Sequence, residues 1–410
     1  MLAAGVAVNV LHISESDGIG GSGRSAFRLH SSLRDLGHGS RMLVGRRATN
    51  DRDVRPLKRS LAWRAGDRIA GTIADALNLQ YVFFPSSFGV VNDPWFKSAD
   101  VVQLYNTHGS YFSHTALPLL SRRRPVFWRL SDMWALTGHV AYSYDCDRWR
   151  HGCGSCPYLH EYPALSSDTT ALLWRWKNEV YRRSNITVVA PSRWIERLAS
   201  ESPLLSRFPI RWIPNGVDLE RFRPVERAEA RTRLGLPPDG PVVLFSAPDI
   251  SDRRKGGGVL NEALAKLLDL DFGLIVAGAN ETPPFPRSFR SLLHLTDDTE
   301  IALSYAAADV FVLPTLAENL PNAAIESIAC GTPCVSFDVG GMPDVVRHME
   351  TGYLAKLADP DDLANGVRTL LGDEDLRTKM SRECREIAER EFSRDLEAAR
   401  FVELYGEVLE

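Results

Sequence analysis

Cysteine is scarce in this chain, with six residues in 410, three of them bunched between Cys146 and Cys156. So few cannot staple a chain of this length, which excludes a disulfide scaffold and points to a reducing compartment, the cytoplasm. Long apolar runs are missing as well. No stretch reaches the roughly 18–20 unbroken apolar residues of a membrane-spanning helix. The opening MLAAGVAVNVLHIS is apolar, but it lacks a basic leader and runs into a Gly-rich turn, so it reads as a first strand rather than a signal peptide. Neither sign of charge prevails. Lys and Arg number 48 against 52 Asp and Glu, a net charge of −4, and a chain so balanced is not built to coat nucleic acid. P-loop, HExxH and Ser-His-Asp patterns are all wanting. With 44% hydrophobic and 24% charged residues, the composition excludes collagen, a disordered tail and a long coiled coil.

What is present is an alternation. Short runs of Val, Ile, Leu and Phe, without polar interruption, suit parallel strands covered on both faces. They fall at Val6–Ile13, Arg41–Val44, Val101–Tyr105, Val126–Leu130 and Ile186–Val189, then at Val242–Ser246, Leu274–Ala277, Val310–Leu313 and Val335–Phe337. Segments of helical spacing lie between them, among them Ser22–Leu36, Gly258–Leu268, Glu300–Ala308 and Ala323–Cys330. The pattern predicts two doubly wound α/β domains, 1–213 and 214–393, with a closing helix at 394–410 that packs back on the first. The boundary is placed in Ser202–Asp218, where Pro203, Pro209 and Pro214 interrupt the alternation. Two such domains facing each other would leave a cleft at the C-terminal ends of both sheets.

The most informative stretch runs from Leu313 to Pro333. A strand ends at Pro314, a loop carries Glu318, Asn319 and Leu320, and a helix begins near Pro321. Proline in a first helical turn costs nothing, because its missing N–H would be unpaired anyway. The amides of Asn322 and Ala323 then open the helix toward an anion, with Glu326 about one and a half turns on. Two carboxylates beside an anion site match a sugar nucleotide: hydroxyls on the hexose and ribose, a diphosphate between. The rival reading is a helix start with acids favoured by the dipole. Lys255, before Gly256-Gly257-Gly258, can hold a diphosphate as a point charge while bare backbone lets it approach. Gly18-Ile-Gly20-Gly21-Ser22-Gly23 also matches the dinucleotide fingerprint of a dehydrogenase; the next strand ends in Gly45-Arg46-Arg47, not in the acid that a ribose wants, although Arg46 suits a 2′-phosphate. Asp145-Cys-Asp147 reads as a chance D-x-D.

These residues together resemble the retaining glycosyltransferases of the GT-B fold that carry an E-x7-E motif, here Glu318 and Glu326. The resemblance extends through Ser192-Arg193-Trp194, Ile213-Pro-Asn-Gly-Val-Asp218, Lys255-Gly256, Ala308-Asp-Val-Phe-Val-Leu-Pro314 and Gly340-Gly-Met-Pro-Asp-Val-Val346. Asn106-Thr-His108-Gly109, Asp132-Met-Trp-Ala-Leu-Thr-Gly-His139 and Cys153-Gly-Ser-Cys-Pro157 are similar to the bacterial surface-polysaccharide branch, of the colanic-acid type. The resemblance implies an acceptor-binding first domain and a donor-binding second, with Glu318 on the donor hexose and Glu326 on the ribose. It places Gly20 and Gly21 beside the donor phosphates. Where the family has an Arg gripping the diphosphate this chain has Pro248-Asp249, so Arg253 or Arg254 substitutes. Many relatives have a His where Ser131 stands, which passes part of that role to Asp132, and the Asn-Thr-His-Gly context makes His108 a second site candidate. Catalysis without a metal is implied, with a nucleoside diphosphate sugar as donor and a saccharide or lipid-linked acceptor. The alternative is a non-catalytic subunit that keeps the fold.

Two features stand apart. His139, Cys146, Cys153 and Cys156 have the ligand types and spacing of a structural zinc site, and equally suit buried free thiols or a Cys153–Cys156 redox pair. From Ser22 to Arg68, twelve Lys/Arg face four Asp. This basic stretch runs into a segment, Leu57 to Ala70, that mixes apolar and basic residues around Trp63. An ordinary core-facing helix with a basic outer face accounts for it. So does a face docking on the anionic inner surface of the plasma membrane, at the periphery of the bilayer.

Overall fold

The computed structural model describes residues 7–57, 60–246, 252–278, 285–292 and 297–409. The start of the expected first strand at Val6 and the Pro248-Asp249 pair lie outside them. The chain divides into two compact units, one running to Pro214 and joined by the segment from Glu397 onward, the other spanning Asn215–Leu396.

Among the described residues the first unit holds seven strands: β1 (Asn9–Ser16), β2 (Gly39–Arg46), β3 (Val54–Pro56), β4 (Val101–Leu104), β5 (Val126–Arg129), β6 (Ile186–Ala190) and β7 (Ile210–Trp212). They form one sheet in the order β3-β2-β1-β4-β5-β6-β7, and every pair is parallel. The second unit holds β8 (Val242–Ser246), β9 (Gly273–Ala277), β10 (Phe289–Leu292), β11 (Val310–Leu313), β12 (Cys334–Phe337) and β13 (Gly352–Ala355). Their order is β10-β9-β8-β11-β12-β13, again all parallel. This is the two-domain, Rossmann-like GT-B architecture.

Uninterrupted apolar runs follow from covering both faces. In β1, Leu11 and Ile13 join the core on one side of the sheet while Val10 joins the core on the other. In β11, Phe311 and Leu313 face one core, Val310 and Val312 the other. The helix Arg394–Leu409 completes the second face of the first sheet, laying Ala398, Phe401, Leu404 and Tyr405 against Val8, Val10, Val101 and Phe127.

Four strands escape the sequence reading: β3, β7, β10 and β13. Each sits at a sheet edge, where one side lacks a partner and solvent reaches part of the face. Residues of β7 and β10 are exposed or half-buried throughout. β7 also lies inside the stretch that the prolines mark as a domain boundary. A second correction concerns the basic segment after β3. Its helix, Leu61–Ala76, buries Asp67 alone, so it is not an ordinary core-facing helix.

Open parallel sheets bind ligands where neighbouring crossovers depart in opposite directions, outside the C-terminal strand ends. In the first unit that point lies between β1 and β4, and in the second between β8 and β11.

The terminal helix is tied in by charge as well as by packing. Arg129 Nη1 donates to Glu397 Oε1 at 2.6 Å, with both side chains buried. Removing one member strands the other in an apolar setting, so Glu397→Ala should cost about 3–5 kcal/mol of stability in urea unfolding. The double variant Arg129→Met/Glu397→Leu should recover most of that loss, because replacing both charges by well-packed apolar groups is close to neutral. A single-variant cost no larger than that of a surface change would contradict the assignment.

Candidate active site

At the switch point of the second sheet, the loop after β8 closes in a short 3-10 turn, Arg253–Lys255, capped by the Asp252 side chain. The loop after β11 carries Glu318. Lys255 Nζ donates to Glu318 Oε2 at 3.0 Å, and Arg254 Nη1 donates to the same oxygen at 3.1 Å. Arg254 also reaches Ala317 O and Asp252 Oδ2, whereas the Arg253 residue is exposed. Of the two arginines offered for the missing diphosphate contact, Arg254 is joined to this carboxylate.

Burial pushes the Glu318 carboxyl up. The charges of Lys255 and Arg254, the Lys255 hydrogen bond and the Asn319 amide outweigh it and hold the group down at about 2. Glu318 is therefore a carboxylate with cations already placed around it. Two glycines fix its loop. A Cβ on Gly256 would lie 1.8 Å from Pro314 O, and one on Gly340 would lie 1.8 Å from Glu318 O; both have positive φ. Gly341 N donates to Glu318 O, and Thr315 Oγ1 to Arg254 O.

The helix that follows runs Asn322–Ala329, with Pro321 as its N-cap rather than inside the first turn, so the N-cap residue itself supplies no side-chain cap. Asn215 Nδ2 donates to Asn322 Oδ1 at 2.8 Å and to Leu320 O at 3.3 Å, which holds the helix start in place. Ala323 is half-buried beside them, while Asn319 and Leu320 are buried. Glu326, one turn on, is also buried, and Tyr305 Oη lies 3.5 Å from its Oε2.

In the first unit the corresponding loops follow β1, β4 and β5. The helix Gly20–Asp35 opens at Gly20, with φ +71° and open space around its missing Cβ, and Gly21 follows it. Gly23 is the tight one: a Cβ there would lie 3.1 Å from Ser16 O, so helix and strand end meet closely. Ser22 Oγ and Ser131 Oγ share a hydrogen bond of 2.8 Å, joining the first turn of that helix to the loop after β5. His108 Nε2 stands 3.4 Å from Asp132 Oδ2, and its ring stacks on Trp134 at 5.3 Å. Burial lowers the His108 pKa against the pull of Asp132, and Lys177 lowers it further. Around this pair lie Tyr81 and Tyr162, whose rings approach His108 at 6.3 and 6.0 Å.

The pattern of the family described as Glycosyl transferases group 1 matches residues 240–373, which span this corner. The D-inositol 3-phosphate glycosyltransferase of Streptomyces bingchenggensis is 31% identical over 332 residues, 73% of this chain and 70% of that one. The chain belongs to the group 1 glycosyltransferases. A D-inositol 3-phosphate glycosyltransferase of Catenulispora acidiphila is 38% identical over 178 residues, 38% of this chain and 42% of its own length. Among solved folds, Anabaena HepE in complex with UDP-glucose superposes with a TM-score of 0.69 at 16% identity, covering 98% of this chain and 100% of that one.

Sequence reasoning missed several residues that position this glycosyltransferase's loops. Asn215, Thr315 and Gly340 stood in quoted motifs without a role; Lys177 carried no signal. Lys177, fully buried, donates to Trp134 O and Thr137 O and sits 3.4 Å over the Trp134 ring, which fixes the loop after β5. Burial pulls its pKa down to about 7.

The cysteine loop lies beyond that lysine. His139, Cys146, Cys153 and Cys156 line one pocket, and all six cysteines of the chain are free thiols. His139 Nε2 is held by Leu159 O at 3.2 Å, leaving Nδ1 4.0 Å from Cys156 Sγ. An imidazole steadied by a backbone carbonyl on one nitrogen is the usual orientation of a metal-binding histidine. Among the described residues, no three such side chains stand grouped to hold a metal ion. Burial pushes the Cys153 thiol up to about 11, the direction of an inert thiol rather than of a reactive redox cysteine.

Because the folded pKa of Glu318 lies below its ordinary 4.5, the stability its ion pairs contribute is fully present above about pH 4.5 and is lost as pH falls through about 2. Lys255→Met should move the carboxyl back toward 4.5, with Arg254 still in place. A carboxyl carbon NMR titration reads this directly, and an unmoved value would reject Lys255 as the principal cation.

Proposed function

We propose that this enzyme is a retaining glycosyltransferase that moves a sugar from a nucleoside diphosphate donor to a hydroxyl of a glycan or lipid-linked saccharide in surface-polysaccharide synthesis. The observation that carries the reading is the convergence of Lys255, Arg254 and Glu318 at the switch point of the second sheet, beside the start of the helix Asn322–Ala329. Two cations and a helix N-terminus suit a diphosphate, and a carboxylate at their edge suits sugar hydroxyls. The UDP-glucose bound by the HepE fold relative supports the same donor class. In this reading the second unit binds the donor and the first binds the acceptor. Glu318 and Glu326 form the E-x7-E pair, on hexose and ribose respectively. The colanic-acid-type branch is the one proposed, on the Asn106–Gly109, Asp132–His139 and Cys153–Pro157 motifs.

The reaction is proposed to need no enzymic nucleophile. The acceptor hydroxyl attacks on the face from which the diphosphate leaves, and a leaving phosphate oxygen takes its proton. The new glycosidic bond forms as the sugar–phosphate bond breaks. Lys255 and Arg254 neutralise charge as it develops on the diphosphate, and His108 with Asp132 orients the acceptor. Work in the cytoplasm, at the periphery of the membrane, accords with six thiols held free.

A panel of UDP-, GDP-, ADP- and dTDP-sugars, scored for hydrolysis and transfer, tests the activity and identifies the base. Glu318→Gln should chiefly lower kcat with the nucleoside diphosphate still bound. Glu326→Ala should weaken the free nucleotide itself by about 1–3 kcal/mol, the worth of a hydrogen bond to a charged group. Equal and unchanged nucleotide affinities in calorimetric titration would remove Glu326 from the donor site.

His139, Cys146, Cys153 and Cys156 are proposed to close on one structural zinc, which would hold their loop and take no part in the reaction. Elemental analysis of protein purified without added metal should find one zinc per chain. A zinc-free chain with every thiol titratable would return the four residues to the loop core.

A further inference from the structure

The helix Leu61–Ala76, α2, faces the protein with one narrow side. Asp67 is its one buried residue, and Asp67 Oδ1 accepts the amide of Ser86 at 2.9 Å. Trp63 leans on Gly89, and Gly66 lies opposite Pro85, in the 3-10 segment Pro85–Asn92. Leu61, Ala65, Ile69, Ile73 and Leu77 follow at four-residue steps, an apolar ridge about 24 Å long that winds round the helix by roughly 40° per step, from the side away from the protein at Leu61 to its flank at Leu77. Ordinary surface helices put such a ridge inside. Here Leu61 is 82% exposed, Ile69 63%, Ile73 56% and Leu77 56%. Arg64 and Arg68, one helical step to the side, flank the ridge and are themselves exposed. Within the helix they meet two acids, Asp67, which is buried, and Asp75, which is exposed along the same edge.

We infer that α2 is a docking face for an anionic phospholipid bilayer, lying in the plane of the interface with its ridge among the acyl chains. The exposed aliphatic residues together with two exposed arginines favour lipid. An exposed apolar stripe edged by arginines matches a surface that is apolar below and negative above. A protein partner fits less well, because a ridge one residue wide offers far less than the about 800 Å² per side of a stable protein interface. Position gives the contact a purpose. Four residues beyond Leu77, the ring of Tyr81 reaches His108 in the loop after β4. The helix thus leads straight into the loops assigned to the acceptor, and the inference rests on that assignment for its lipid-linked acceptor, though not for the docking itself.

Cosedimentation of the full chain with vesicles tests it. Binding is expected to vesicles of phosphatidylcholine with phosphatidylglycerol and not to phosphatidylcholine alone, with release as salt rises from about 50 to about 500 mM. Ile69→Ser/Ile73→Ser should lower partition tenfold or more, and Arg64→Gln or Arg68→Gln roughly fivefold each. Donor-sugar hydrolysis in Ile69→Ser/Ile73→Ser should stay unchanged, so loss of docking separates from any failure of the transferase reading. Absence of vesicle binding, or equal binding to neutral and anionic vesicles, would overturn the inference. So would a concentration-dependent dimer that Ile69→Ser/Ile73→Ser abolishes, since the ridge would then seat a second copy of the chain.

Discussion

Parallel pairing is the constraint from which the rest of this molecule follows. Two parallel strands cannot be joined by a tight hairpin; each needs a crossover that returns along the sheet face. Crossovers on both faces exclude water from both, and the strands become apolar throughout. The same rule sends every strand's C-terminal end to one edge of its sheet. Loops free of packing duty collect there, and chemistry collects with them. Lys255 follows β8 and Glu318 follows β11, neighbours in the sheet but separated in sequence by β9 and β10.

That topology explains what could be read from the letters. Interior strands have partners on both sides and cover on both faces, so they appear as plain apolar runs; β8 and β11 match their expected bounds residue for residue. Edge strands lose that signature. β3 ends in Pro56, and β7 offers three partly wet residues. Proline marked β7's neighbourhood as a break, which it is for the domain but not for the sheet. Glu318, Lys255 and the helix start were legible because their residue types sit at loop positions that demand a reason. Lys177 and Asn215 were not, since a lysine in a helix and an asparagine in a loop are ordinary until their acceptors are known.

The exposed face of α2 illustrates the opposite failure. Amphipathic letters say that a helix has two sides but not which side meets the protein. Burial of Asp67 against the Ser86 amide turns α2 so that its aliphatic ridge points outward. A buried aspartate, with Trp63 and Gly66 on the same narrow side, thus reverses the meaning of a pattern that periodicity alone assigns to a core.

Gly256 and Gly340 have a consequence for how such a site can change. Each presses bare backbone on a carbonyl of the loop that bears Glu318, one from the β8 side and one from the β12 side. The loop is wedged between them, and no side chain can enter at either place without pushing the carboxylate off its cations. Gly258, two residues from the first, has open space around it. Tolerance of substitution in this corner therefore varies sharply over two positions. Change in this corner has to arise from side chains at the rim of the loop, since its course is closed to gradual adjustment.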